Sequence, residues 1–305
     1  MSHWLSSSPT ILEFVPPVKR LGADGLEKRL RRLEKLLDSG EFCAINLPEI
    51  REEESRSDQG HRATPFEPRF PAREIALEIQ RRFAIPTVVN HVVALQPAAA
   101  LVDWARETHE RYEIENFVLV GPAKGSERIG PTVPEANQIL RETLPGSVRI
   151  GNICIPGRTS AGIDESERME AKARQGANFF TTQILYRSHS CVEMLAALAE
   201  RSPAAGQAPI LVSLCPLRRP ESVGFLRFLG VELEEPTVRS LCEDPDHMLE
   251  RSIEHLVGVW RRITAASEKE RWANPLGVNI APVGPMPSSA TLSLARALAT
   301  PVTQS

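Results

Sequence analysis

The stretch Thr10-Ile11-Leu12-Glu13-Phe14-Val15-Pro16-Pro17 sets one carboxylate in an apolar run that two prolines bring to a stop. Such a run reads as a short buried strand, and prolines, which cannot donate to a ladder, end it. An acid there is costly unless it is paired, neutralised or used. Used, Glu13 moves a proton; unused, it is an edge-strand carboxylate with its head in water. A second polar residue, Gln183, closes the run Phe179-Phe180-Thr181-Thr182-Gln183. An acid that protonates beside an amide that hydrogen-bonds would suit a polar heterocycle, if the fold brings the two together.

The elements that must position them follow from periodicity. Leu26, Leu30, Leu33, Leu36 and Leu37 recur at helical spacing and Gly40 stops the pattern, which predicts an amphipathic helix. Residues 42–47 then read as a second strand. Helices are predicted over 72–83, 98–112, 133–144, 165–175, 192–200, 222–229, 248–265 and 292–298, and strands over 87–93, 116–120, 148–153, 179–183, 210–214 and 276–280. Strand and helix thus alternate about eight times, which predicts the α/β class and a single (β/α)8 TIM barrel, one domain over 1–305. A doubly wound open sheet is the alternative, but no GxGxxG follows the first strand. The connection over about 48–71 is polar, carries Glu52-Glu53-Glu54 and is long for its place, so it is expected to be a lid or a disordered flap.

In a barrel, chemistry collects where strands end. That makes Glu13, Asn46, His91, Gly121, Arg158 and Gln183 the informative positions, with Glu13 and Gln183 expected at one rim. Composition narrows the rest. The chain has 305 residues, 42% hydrophobic and 25% charged, as in a soluble globular protein with a sizeable core. A net charge of -3 gives no electrostatic case for nucleic acid. No apolar run is long enough for a bilayer and the N-terminus lacks a signal-peptide pattern, so the cytoplasm is expected and no membrane. The five cysteines never form CxxC and the seven histidines never form HxxxH, so neither a disulfide framework nor a metal site is expected. Oligomeric state is left open.

The segment Leu12-Glu13-Phe14-Val15-Pro16-Pro17 resembles the first-strand motif of methylenetetrahydrofolate reductases. Gly176-Ala177-Asn178-Phe179-Phe180-Thr181-Thr182-Gln183 is similar to the Thr-Gln strand of that family, and Pro209 to Pro216 and Phe225 to Glu232 resemble the strand and helix that follow it. Asn90-His91 falls where the family ends its third strand in histidine, which implies His91 as a cofactor contact. The resemblance implies NAD(P)H-dependent reduction of 5,10-methylenetetrahydrofolate to 5-methyltetrahydrofolate. It implies Glu13 as the acid that protonates the amine nitrogen as the five-membered ring opens, and Gln183 as the residue that orients the pterin. Phe225 reads as core or as an aromatic that could stack on the benzoyl ring, Arg218 and Arg219 as a solvated loop or a holder of the glutamate tail, and Lys172, where the family has a flavin-phosphate lysine, as that contact or as an ordinary lysine on an exposed helix face.

Other family features are missing. Strand four ends Val120-Gly121-Pro122, without the family's Asp; Leu47-Pro48-Glu49 replaces its Thr-Tyr-Gly turn; and Cys154 to Arg158 lacks its flavin-holding Tyr and His. The chain therefore looks like small divergent reductases that dispense with tightly bound FAD and take hydride directly from a nicotinamide. In that reading Gly121, Lys124 and Arg158 approach the dinucleotide, since glycine admits close backbone contact and the cations suit phosphate. Two other readings keep the barrel: a folate-binding protein that reduces nothing, and a folate-dependent methyl-transfer protein.

Overall fold

The computed structural model describes residues 4–5, 8–52, 56–57, 60–61, 65–122, 127–201 and 204–300. In chain order the elements are β1 (Thr10–Glu13), α1 (Gly22–Leu37), β2 (Ala44–Leu47), β3 (Arg56–Ser57), β4 (Gly60–His61), α2 (Ala72–Phe83), β5 (Thr87–Val92), α3 (Ala98–Glu110), β6 (Asn116–Val120) and α4 (Val133–Thr143). There follow β7 (Arg149–Cys154), α5 (Glu165–Arg174), β8 (Phe179–Thr182), α6 (His189–Arg201), β9 (Ile210–Leu214), α7 (Glu221–Phe228), α8 (Glu235–Cys242), α9 (Met248–Glu270), β10 (Leu276–Ile280) and α10 (Ser288–Ala299). Eight strands close in the order β1-β10-β9-β8-β7-β6-β5-β2, every pair parallel, with helices outside. The chain is a single (β/α)8 barrel.

Alternation along each strand separates two cores. Leu12, Ile45, Leu47, Val89, Phe117 and Ile150 face the helices, where apolar stripes such as Leu30, Leu33 and Leu36 of α1 meet them. Ile11, Ala44, Val88, Val118, Phe179 and Leu211 point inward and fill the barrel. Gly151 is small for a reason: a Cβ there would lie 2.3 Å from the Phe179 ring, which occupies the space a side chain would need. At the N-terminal end of the strands, Trp4 packs edge-on against Phe179 and donates to Asn116 Oδ1 at 3.1 Å, while Leu5 is fully buried; together they floor the barrel.

Two features depart from expectation. Helix α8 was not foreseen, and the long connection after β2 carries a short antiparallel hairpin, Arg56 opposite His61 and Ser57 opposite Gly60. The hairpin docks backbone to backbone on α7: a Cβ on Gly60 would come within 2.2 Å of Gly224 O and 2.4 Å of Phe228 N. The returning limb bonds to the loop after β1, through Lys19 N to Pro68 O at 2.8 Å and Phe70 N to Pro17 O at 3.0 Å. Since α7 follows β9, the connection spans the rim over β1 and β10. All five cysteines are free. Among the described residues no helix is long and apolar enough to cross a membrane.

Candidate active site at the barrel mouth

Ladder register sorts the inward positions nearest the C-terminal ends into tiers, each drawn from alternate strands. The upper tier holds Glu13, Asn90, Ile153 and Ser213, and the tier beneath it Asn46, Val118, Thr181 and Asn279. Read around the barrel, Asn90, Asn46, Glu13, Asn279, Ser213 and Thr181 form an unbroken polar crescent over six successive strands. Val118, Val120 and Ile153, on β6 and β7, make the opposite arc apolar. A ligand is thus offered hydrogen bonds on one side and dispersion contact on the other.

Glu13 is the only ionisable member of the crescent. Asn46 Nδ2 donates to Glu13 Oε2 at 3.2 Å, and Asn279 also approaches the carboxyl. The residue as a whole is half-buried, but its carboxyl is ringed by protein atoms. That burial lifts its pKa from the ordinary 4.5 to about 7; the bonds from Asn46 and Asn279 favour the anion and offset only part of the rise. A carboxyl poised there holds a proton near neutrality and can give it up. Around it, Asn279 Nδ2 donates to Ser213 Oγ at 3.2 Å, and Ser213 Oγ lies 3.2 Å from Thr181 Oγ1.

Gln183 does reach the same rim, one residue past β8, yet its amide is spoken for. Nε2 donates to Leu229 O at 2.9 Å, tying down the C-terminus of α7, and Oε1 accepts from Ile184 N at 2.9 Å. Phe225 lies half-buried on α7, its ring stacked with Phe228 at 6.0 Å between centroids. The helix that receives the hairpin is therefore the one Gln183 anchors.

The residues expected to meet a cofactor are dispersed. His91 points away from the lumen, stacked on Trp104 of α3 at 3.6 Å, with Nδ1 3.0 Å from Glu49 Oε2 and Nε2 2.7 Å from the Gln96 amide. Burial pushes Glu49 up, but the His91 contact, the Val92 N–H and Arg51 outweigh it and leave the acid below its usual range. Glu49 and His91 line a cavity of about 180 Å³ beside the mouth, closed by Pro16, Arg69, Phe70 and Arg73. Lys172 sits beneath α5 and not on an exposed helix face: its Nζ donates to Ile153 O at 2.7 Å and to buried Glu165 at 3.3 Å. Burial draws its pKa down while Glu165 opposes the fall. Arg158 is bound to the same Glu165 at 3.1 Å. Gly121 is half-buried at the end of β6, with Val133 Cγ2 3.6 Å from where a Cβ would stand, so nothing there demands glycine. Lys124 lies outside the described residues.

Asn90, Thr181, Ser213 and Asn279 were not singled out from sequence, although a signal was present. Each is a polar residue at an inward position near the end of an apolar strand, the pattern that marked Glu13. Reading Asn90-His91 for its histidine passed over the residue that faces the lumen.

Fold and mouth together define a (β/α)8 barrel with a buried carboxyl at its C-terminal face. No protein-family model matches the chain, and no curated protein matches it. Among solved structures, a Clostridium thermocellum protein that binds two copies of 5-methyl-5,6,7,8-tetrahydrofolic acid superposes with a TM-score of 0.78 at 17% identity, over 95% of this chain and 94% of that one. Dihydropteroate synthase from Xanthomonas albilineans aligns with a TM-score of 0.47 at 14% identity, over 97% of this chain and 94% of that one. N-(5'-phosphoribosyl)anthranilate isomerase from Pyrococcus furiosus aligns with a TM-score of 0.47 at 12% identity, over 95% of this chain and 98% of that one.

Proposed function

We propose that this barrel binds a reduced folate at its mouth and reduces 5,10-methylenetetrahydrofolate to 5-methyltetrahydrofolate. The observation that carries the reading is Glu13, a carboxyl raised to about 7 inside a crescent of uncharged hydrogen-bonding groups. The Clostridium thermocellum structure, which shares the architecture over nearly the whole chain and binds a methylated tetrahydrofolate, supports the choice of ligand.

In this reading the pterin lies with its polar edge on Asn46, Glu13, Asn279 and Ser213 and a face against Val118, Val120 and Ile153. Glu13 gives its proton to the amine nitrogen as the C–N bond of the five-membered ring breaks, leaving an iminium. A reduced nicotinamide supplies the hydride that forms the new C–H bond and is itself oxidised. Glu13 then recovers a proton from water. Its carboxylate, short-lived in so crowded a place, is held by the Asn46 and Asn279 amides.

A flavin does not fit the residues assigned to it. Lys172 is committed to Ile153 O and Glu165, His91 is stacked on Trp104 outside the lumen, and β6 ends without a carboxylate. The tie between Arg158 and Glu165 also favours a second reading, a protein that holds folate and transfers no hydride.

One assay separates the two: NADH and NADPH oxidation with 5,10-methylenetetrahydrofolate, with and without added flavin. Turnover without flavin, abolished by Glu13→Gln while 5-methyltetrahydrofolate still binds, is the expected result. Full activity in Glu13→Gln would remove the proton-donor role. Binding of 5-methyltetrahydrofolate with no nicotinamide oxidation under any condition would leave the second reading.

A further inference from the structure

Asn279 differs from its neighbours in the crescent. It is 3% exposed, and its Nδ2 is spent on Ser213 while its amide also approaches Glu13. Its Oδ1 is buried and has no hydrogen-bond partner among the described residues. Across Glu13, on β5, the Oδ1 of Asn90 is in the same condition. The Asn279 nitrogen is turned to Ser213 and Glu13, so the amide oxygen faces away from both and is left over. Buried carbonyls are expensive to leave unpaired, so a mouth that keeps one on each side of its acid is shaped for a ligand that brings donors.

We infer that Asn279, seconded by Asn90, makes the mouth selective for a heterocycle carrying ring or exocyclic N–H donors on the edge presented to Glu13. The inference deepens the folate reading and stands on it. A reduced pterin meets the requirement on the edge that carries its exocyclic 2-amino group and the N–H of ring position 8. An apolar ring, or one whose edge nitrogens are all unprotonated acceptors, would face two carbonyl oxygens with nothing to give them. Selection of this kind is steep, because the wrong ligand forfeits a bond and also strands a buried oxygen.

The test is calorimetric titration of the whole chain with 5-methyltetrahydrofolate, its 2-desamino counterpart and its 8-deaza counterpart. The wild-type protein is expected to bind the parent at least tenfold more tightly than one of the two analogues, since one of them lacks the donor that Asn279 reads. Asn279→Leu should weaken the parent by about 10- to 100-fold and weaken that analogue no further, the signature of a shared contact. Asn279→Ser, smaller and still polar, serves if the Leu variant does not fold. Equal affinity of the wild-type protein for all three compounds overturns the inference and leaves folate binding intact. So does a folded variant that binds the parent as the wild type does. Failure of the wild-type protein to bind 5-methyltetrahydrofolate at all overturns the folate reading and this inference with it.

Discussion

Glu13 binds its proton more tightly in the folded chain, near 7, than in an unfolded one, near 4.5. Between those values the native state holds more protons than the unfolded state, so stability falls as pH rises through that window. Below 4.5 the carboxyl costs nothing; above 7 the full penalty of burying an anion is present. For a half-buried residue that penalty is on the order of 1–3 kcal/mol. Glu13→Gln removes it, so the melting temperature of the variant should stay level from pH 5 to 8 where the wild-type value declines. A parallel decline in both proteins would place the titration elsewhere. What the sequence made visible here was an acid out of place in an apolar strand. What sets its pKa was not visible: the burial that raises it exists only in the closed barrel, and Asn279, which offsets part of the rise, arrives from the last strand, more than 260 residues along the chain, when β1 pairs with β10.

Among the elements, the hairpin on the β2–α2 connection is the least legible in sequence. Two-residue strands are too short to show a period, and Gly60 looks like any loop glycine until α7 is laid against it. Gly60→Val should push the hairpin off Gly224 and Phe228, opening the connection to protease and weakening folate binding without lowering the melting temperature of the barrel. Retained protease resistance would count against the clasp. Lys172 teaches the opposite lesson. Its spacing suited an exposed helix face, but α5 turns it inward, because Glu165 and the Ile153 carbonyl need a cation beneath the helix. Lys172→Met leaves Glu165 with Arg158 and Arg168 alone, and should cost about 2–4 kcal/mol of stability with no change in the KM for the nicotinamide. A raised KM at unchanged stability would return the residue to cofactor binding.

For the molecule as a whole, alternation of strand and helix was the strong signal, since periods of two and of about 3.6 residues persist even when ends shift by a residue or more. The strands at 116–120, 210–214 and 276–280 were read with the bounds they have. Helix α8 escaped because it is an eight-residue addition outside the repeating unit, opened by Glu235-Pro236 and showing little apolar face. Closure also separates two ends: Trp4 and Leu5 floor the barrel at one, and the polar crescent, the site of the proposed chemistry, lies at the other.

The clasp of Gly60 on α7 has a consequence for heat as well as access. The hairpin lies beside a mouth in which the Glu13 carboxyl, lifted by burial to about 7, is close to half protonated at neutral pH. A folate that covers the mouth and excludes water should raise that pKa further, and so draw part of a proton from the buffer on binding. At pH 7 the enthalpy of folate binding should track the ionisation enthalpy of the buffer, less exothermic in Tris than in phosphate, and Glu13→Gln should abolish that dependence. Calorimetry in two buffers would then turn a single carboxyl into a counter of bound ligand.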